Sequence, residues 1–279
     1  IWAEAARSGR GATIPAFAAT PLGPPDESLR LCSIDDLVRF LSNPARYFLT
    51  RRLGLRLPDE TESPQDVEPF DAAGLERWDL RQRLLRQRLA GLDQDQMLGR
   101  LRGEGLLPHG SPGELLLEEQ LGVVDPFCRR LTAFEVEEPV EPLEVDLDLE
   151  GFRLQGRLTG LREGGLLDSR LGKLRCKDRL GIWVRHLALN AQAPTGMALS
   201  SRYLAEDATL HMNSLADAEE ARKHLADLLA LRWQGLCAPL AFFPESALAW
   251  LKKQEYDDGF HKAWDAEYGP ASESSDLAV

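Results

Sequence analysis

The stretch of sequence that decides the fold runs from Leu143 to Arg170 and reads LEVDLDLEGFRLQGRLTGLREGGLLDSR. Leucine and valine alternate with acidic residues over 143–150, and apolar residues or glycine alternate with polar ones over 152–159. A period of two is typical of strands that bury one face. Glycines between the segments favour tight turns, so the pattern predicts a three-stranded meander whose third strand is 166–170.

Apolar residues at helical spacing flank these strands on both sides. Ser33 has the form of an N-cap and Pro44 that of a first helical residue. The sequence predicts helices from about 34, over 44–54, 71–92, 93–103 and 111–124, with another turn or two after Pro126. Beyond the strands it predicts a helix around 180–187, a hairpin of 197–204 and 208–212, and a helix after Asp217. The order from residue 111 is α-β-β-β-α-β-β-α, and the predicted class is α+β.

Composition narrows the class of protein. The chain has 279 residues, of which 43% are hydrophobic and 28% charged, so it can bury a core and is not a disordered or coiled-coil protein. It has no apolar run of membrane-spanning length and no secretory signal, which predicts a cytoplasmic protein without a membrane partner. It begins with Ile1 rather than Met, which indicates a piece of something longer. Four cysteines and five histidines are scattered, so we expect no metal site and no cofactor.

Charge is distributed unevenly along the chain. The formal net charge is −12, yet 135–150 contains eight acidic residues and no base. Over 151–185, nine basic residues face three acidic ones, which leaves a net of +6. This basic block is either a solvated charged face or a surface that meets a phosphate backbone. The candidate DNA-binding residues are Arg153, Arg157, Arg162, Lys173, Arg175 and Lys177.

A second group of cations lies in the predicted helices over 75–102. Its arginines are Arg77, Arg81, Arg83, Arg86, Arg88, Arg100 and Arg102. They could contact DNA, but an amphipathic helix whose arginine stems cover apolar surface is the favoured interpretation.

The order of elements resembles the core of the PD-(D/E)XK nucleases, a mixed sheet flanked by helices. That resemblance implies an acid on the second strand and an acid-x-Lys on the third, which together bind Mg²⁺. Here the second strand reads Gly-Arg-Leu-Thr159 and the third Asp168-Ser-Arg170. Only Asp168 matches, because threonine offers no carboxylate and arginine cannot become neutral. Thr159, Asp168 and Arg170 are therefore interpreted as vestiges of a degenerate nuclease, with no catalytic residue and no metal.

The N-terminal helices carry a second resemblance. Ser33-x-x-x-Leu37 followed by NPARYF at 43–48 is similar to a segment of the same nucleases, some of which have a cysteine at the place of Asn43. With GEGLLPHGSPGELLLEEQ, LQGRLTGL and GIWVRHLALN, the pattern from about 31 to 250 resembles the C-terminal region of the RecC family of exodeoxyribonuclease V subunits. The predicted division is a linker or arm (1–30), a helical region (31–106), a degenerate nuclease-like α/β core (107–255) and a poorly defined tail (256–279).

What this resemblance implies is a non-catalytic role at DNA ends. The domain would guide duplex ends and separated strands and dock on RecB-like and RecD-like subunits. In that family a hairpin emerges from this region as a strand-splitting pin, and 141–161 and 197–212 are both candidates. Two alternatives stay open. One is an active Mg²⁺-dependent nuclease that uses Asp168 with Glu114 or Glu118, and the other is a pure protein–protein scaffold.

Overall fold

A computed structural model describes residues 20–55, 74–135 and 137–253. The predicted tail 256–279 and most of the predicted arm 1–30 lie outside these residues. The predicted division into regions is not tested and stays a prediction. No helix within the described ranges is long and apolar enough to cross a membrane.

The first helices begin where their capping residues predict. Helix α1 is Ile34–Ser42, and the hydroxyl of Ser33 accepts a hydrogen bond from the Asp36 amide at 3.0 Å. Helix α2 is Pro44–Tyr47, with the Asn43 side chain as its cap, and a π-helical turn continues it over Phe48–Arg52. The predicted helix starts at 34 and 44 are confirmed. Each capping side chain accepts a hydrogen bond from a backbone amide that would otherwise have no partner.

Three further helices form a layer of their own. They are α3 (Gly74–Leu89), α4 (Gln94–Gly103) and α5 (Ser111–Glu135). The predicted end near 124 is wrong, since α5 continues through Pro126. Proline removes one backbone donor, but Val124, Phe127 and Leu131 on both sides of it are buried in one cluster, and that packing outweighs the lost bond.

The strands form two small mixed sheets. The first has the order β1-β3-β2, from β1 (Leu31–Ser33), β2 (Leu143–Leu149) and β3 (Phe152–Leu158). The second has the order β4-β5-β6-β7, from β4 (Leu161–Arg162), β5 (Gly165–Ser169), β6 (Ser201–Leu204) and β7 (Thr209–Met212).

The predicted meander is corrected by this arrangement. Strands β2 and β3 pair as expected, but the third strand, β5, belongs to the second sheet. The edge of β3 that it would occupy is taken by β1, which pairs in parallel from a distant part of the chain. The connection between the sheets is β4, which follows β3 past Gly160 and pairs with β5. A three-residue strand such as β1 has too few positions to show a period.

Three more helices complete the described part of the chain. They are α6 (Cys176–Gln192), α7 (Ala218–Cys237), which Asp217 caps, and α8 (Pro244–Lys253), which the sequence did not predict. The predicted hairpin is β6 and β7, with shorter strands than expected. The turn of this hairpin is bound to α5, because Arg130 donates to the carbonyl oxygens of Ala205 and Glu206 at 2.9 and 2.7 Å.

Two buried clusters hold the layers together. The sheet cluster joins both sheets to α1, α6 and α7, with Phe40, Leu154, Leu166 and Leu225 among its members. The helical cluster joins α3, α4 and α5, and it also contains Leu167 of β5. The structure thus confirms an α+β fold of mixed sheets flanked by helices, with a helical N-terminal region, although the sheets are two rather than one.

Candidate nucleic-acid interface

The three predicted vestigial positions lie around the point where the two sheets connect. Thr159 follows β3 and is exposed, and its neighbour Gly160 accepts a hydrogen bond from the Leu167 amide at 2.9 Å. Asp168 therefore lies on a strand that pairs close to Thr159. Its Oδ1 accepts the Ser169 amide at 2.8 Å, and its Oδ2 lies 3.7 Å from Nη1 of Arg185. A guanidinium group, which cannot lose its proton, is the charged neighbour of this carboxylate.

Arg170 is also held as a cation. Its Nη1 lies 3.1 and 3.0 Å from Oδ1 and Oδ2 of Asp178, and Oδ2 also accepts the Arg175 amide at 3.0 Å. Arg185 reaches a second carboxylate, because its Nη2 lies 3.2 Å from Oδ1 of Asp35. The acids around the vestigial positions are thus paired with arginines. Among the described residues, no group of three or more His, Cys, Asp or Glu side chains is placed to hold a metal ion.

The two glutamates of the alternative nuclease lie on another face of the second sheet. Neighbouring side chains of a strand point to opposite faces. Leu167 packs with the α5 residues of the helical cluster, so Asp168 points away from α5, toward Arg185 of α6. Glu114 is moreover paired with Arg102 at 2.9 Å. The structure does not bring Glu114 or Glu118 of α5 together with Asp168.

The basic residues of β3 face acids of β2 directly. Pairing aligns Glu144 with Arg157 and Asp148 with Arg153. Arg153 binds both carboxylate oxygens of Asp146 at 2.7 and 2.6 Å, and Arg157 lies 3.2 Å from Glu144. The hydrogen bond from Arg153 lowers the pKa of Asp146 and outweighs its desolvation. The hairpin therefore folds the acidic block onto the first part of the basic block, and the charge excess counted along the chain is largely cancelled on this face.

Arg162 lies apart from these two, on β4. Its Nη1 donates to the backbone carbonyl of Glu137 at 3.0 Å. The Glu137 carboxylate binds Arg202 of β6 through both oxygens and accepts the Gly164 amide at 3.2 Å. The hydrogen bond from Arg202, against a smaller opposing effect of burial, lowers the pKa of Glu137. Arg162 thus belongs to a connected polar group that joins β4 and β6 to the segment before β2.

Lys173, Arg175 and Lys177 form a second set, separate from the cations of β3. They lie in the loop before α6 and in its first turn, and all three are exposed. Asp207 fixes this loop by accepting the Leu174 amide at 2.8 Å. The side chains of Lys173 and Arg175 form no ion pair with an acid within the described ranges. This basic loop, residues 173–177, is therefore the part of the predicted block in which two exposed cations have no ion pair between side chains within those ranges.

One polar group was missed by the sequence analysis altogether. Arg232 of α7 is 1% exposed, and it donates to the Tyr47 hydroxyl at 2.9 Å, to the Leu29 carbonyl at 2.7 Å and to Asp36 at 3.2 Å. Burial opposes ionisation of Asp36. Hydrogen bonds from Tyr47 and Arg51, together with the positive charges of Arg51 and Arg232, nevertheless keep its pKa below the ordinary value. An arginine in the apolar stretch LLALRWQGL was the available signal. This buried network ties α1 and α2 to α7.

Comparison with known proteins gives consistent results. A family model described as "RecC C-terminal domain" matches residues 30–255. The RecBCD enzyme subunit RecC of Escherichia coli (strain K12) is 32% identical over 219 residues, which is 78% of this chain and 19% of the relative. The same subunit of Mycolicibacterium smegmatis is 30% identical over 264 residues, 92% of this chain and 24% of the relative. That of Buchnera aphidicola subsp. Acyrthosiphon pisum is 21% identical over 226 residues, which is 81% of this chain and 20% of the relative. The chain spans less than a quarter of the length of these relatives.

Proposed function

Because this chain belongs to the RecC C-terminal domain family, we propose that it is a non-catalytic part of a RecBCD-type helicase–nuclease that processes double-strand DNA ends for recombinational repair. In this proposal it guides the duplex end and the separated strands, and it docks RecB-like and RecD-like subunits. The relatives named as RecBCD enzyme subunits support the assembly, and the chemistry around Asp168 supports the absence of catalysis.

The observation that carries the non-catalytic part is the position of Arg185. A Mg²⁺ ion at Asp168 would need a second converging carboxylate and a site free of competing cations. The charged group facing Asp168 is instead the guanidinium of Arg185, and Asp35 lies on the other side of that guanidinium. Thr159 supplies no carboxylate, and Arg170 is held by Asp178. These positions suit a stable arrangement of ion pairs better than a metal centre.

The DNA contact is proposed for the six predicted cations, with the basic loop contributing most. Lys173 and Arg175 are exposed and lie at the N-terminal end of a 17-residue helix, whose dipole also favours an anion. Arg153 and Arg157 are half-exposed and must exchange their own carboxylates for a phosphate. An exchange of partners gains less than a new ion pair, so these two arginines should contribute less to affinity.

The salt dependence of DNA-end binding by the assembled complex tests this proposal. Each neutralised phosphate adds about 0.9 to the slope of log K against log salt concentration for duplex DNA. The combined change Lys173→Ala, Arg175→Ala and Lys177→Ala should therefore lower the slope by about 2–3. The combined change Arg153→Ala, Arg157→Ala and Arg162→Ala, with the same loss of charge, should lower it by less. The control removes two exposed cations elsewhere, Arg129 and Lys223, and should leave the slope unchanged.

A protein–protein scaffold is the second candidate. The observation that favours it is the internal neutralisation of the β2–β3 face by Arg153–Asp146 and Arg157–Glu144. If both triple variants bind DNA ends with an unchanged slope while assembly with the other subunits is weakened, the scaffold function replaces the DNA-guiding one. The two hairpins proposed as a strand-splitting pin would be compared in the same complex by shortening each in turn.

A further inference from the structure

Most arginines of α3 and α4 have defined structural partners. Arg88 binds both carboxylate oxygens of Asp125 on α5 at 2.7 and 2.8 Å, which fixes α3 against α5. The other side-chain partners that are defined are Gln120 and Glu206 for Arg81, Asp79 and Glu104 for Arg83, and Glu114 for Arg102. These contacts explain why the helices carry so many arginines without assigning any of them to DNA.

Arg86 and Arg100 are the exception. Both are exposed, and neither has an acidic partner among the residues that the structure describes. The side chain of Arg86 makes one long hydrogen bond, from Nε to the Gln82 carbonyl at 3.4 Å. They belong to different helices, yet they line the same cleft. Two unpaired guanidinium groups on one small concave surface repel each other, and this repulsion is relieved when an anion lies between them.

The cleft lies between α3 and α4 and has a volume of about 330 Å³. Its lining includes Arg83, Arg86, Gln87, Leu92, Arg100 and Glu104. The ion pair of Arg83 with Glu104, at 3.1 Å, joins the two helices. Three guanidinium groups and one carboxylate leave the lining with an excess of two positive charges, which matches a phosphate group.

Gln87 provides a second, independent observation. Its side-chain oxygen is buried and has no hydrogen-bond partner. A buried polar atom without a partner is costly, and such atoms are uncommon in folded proteins. Gln87 is one of the residues that line this cleft. Rotation of this side chain toward the cleft would let the oxygen accept a hydrogen bond from a ligand that carries a hydroxyl or N–H group next to its phosphate.

We propose that the cleft between α3 and α4 binds a phosphate group of a nucleic-acid strand or of a small phosphate compound, with Arg86 and Arg100 as its ligands. The planar fork of arginine donates two parallel hydrogen bonds to phosphate oxygens, which gives these residues an advantage over lysine. The inference depends on the proposed DNA-guiding function only if the phosphate group belongs to a nucleic-acid strand. Its residues are separate from the six cations proposed to meet DNA.

Calorimetric titration of the full chain with pyrophosphate and, separately, with a short single-stranded oligothymidylate tests the proposal. The combined change Arg86→Gln and Arg100→Gln should weaken binding of at least one probe by about tenfold or more, as expected when charged hydrogen bonds are lost. The matched control is Arg129→Gln with Lys223→Gln, which removes the same charge from exposed positions on α5 and α7. The control should bind like the unchanged protein.

A charge-conserving variant separates the arginine fork from simple attraction. Arg100→Lys keeps the charge and should give an affinity between those of the unchanged protein and the double variant. Circular dichroism and thermal melting should be the same for all variants, because both arginines are exposed and glutamine is a good helix former.

The two probes distinguish the sources of the phosphate. Loss of oligothymidylate binding assigns the cleft to a nucleic-acid strand, and loss of pyrophosphate binding alone assigns it to a small phosphate compound. The proposal is overturned if neither probe binds, or if the double variant and the control lose affinity equally. An unaltered salt slope in the basic-loop variants would refute the DNA-guiding contact of that loop but leave this result standing.

Discussion

Replacement of Asp36 by asparagine should be among the most destabilising conservative changes in the chain. The Oδ2 atom of Asp36 accepts the Tyr47 hydroxyl at 2.5 Å and Arg232 at 3.2 Å. Its Oδ1 atom accepts Arg51 at 2.6 Å and Arg39 at 3.1 Å. One carboxylate is therefore the shared counterion of a fully buried guanidinium and two partly exposed ones. Asparagine keeps the shape and one acceptor but removes the charge.

The magnitude follows from the burial of Arg232. Removing one partner of a buried ion pair costs about 3–5 kcal/mol, because the remaining charge is left uncompensated. The retained amide acceptor and the hydrogen bonds of Arg232 to Tyr47 and Leu29 place the expected loss at the lower end, about 3 kcal/mol. Asp35→Asn is the control. Its side chain is 76% exposed and pairs with Arg185, so it should cost no more than about 1 kcal/mol.

Urea unfolding followed by circular dichroism measures both variants, and hydrogen exchange of peptides from α1 and α7 locates the loss. The pKa of Asp36 is lowered in the folded chain, so its stabilising effect is complete above the ordinary value of 3.8 and disappears as pH falls through the folded value. The gap between the unchanged protein and Asp36→Asn should therefore close below pH 3.8. If Asp36→Asn and Asp35→Asn unfold at the same urea concentration, the carboxylate does not hold Arg232 and the reasoning is wrong.

Three further predictions concern other sites. Burial lowers the pKa of His186 below 6.5, so the unfolded chain binds its proton more readily and stability should fall as pH drops below 6.5. Urea titrations on both sides of that pH should show this slope, and His186→Asn should flatten it. The chain should leave end-labelled DNA intact in Mg²⁺ or Mn²⁺, and cleavage abolished by Asp168→Ala would contradict the non-catalytic proposal. Gly235→Ala should cost about 1–3 kcal/mol in thermal unfolding, since its methyl group would lie 2.5 Å from the Phe40 ring. Gly122→Ala, with nothing within 4 Å of its new atom, should be neutral or stabilising.

Local patterns determined most of the elements. Ser33 and Asn43 are capping residues whose own neighbours supply the amides they bind, so the helix starts needed no distant contact. The alternation over 143–158 was sufficient for the β2–β3 hairpin, because its register is fixed by a two-residue turn at Glu150-Gly151. The resemblance to the RecC family also came from short motifs in order. In all of these the interacting residues are close in sequence.

A charge sum along the chain proposes candidate residues for the site, but it does not show which of their charges are paired in the fold. The sequence singled out Arg153 and Arg157 from a charge sum along the chain, which treats residues as if each faced solvent alone. Cross-strand pairing places Asp146 and Glu144 beside them. In the basic loop at 173–177 no cross-strand acid pairs with the side chains of Lys173 and Arg175, which remain exposed.

Only the tertiary structure decided how distant segments meet. Strand β1 takes the edge of β3, and Arg232 reaches Asp36 from a position 196 residues away. The cleft brings together Arg86 and Arg100, which lie on different helices. Sequence periodicity indicates which face of a helix or strand is buried, but it does not indicate which other element packs on that face. Partners of buried and paired charges are set by packing between elements, and that is where local patterns stop being informative.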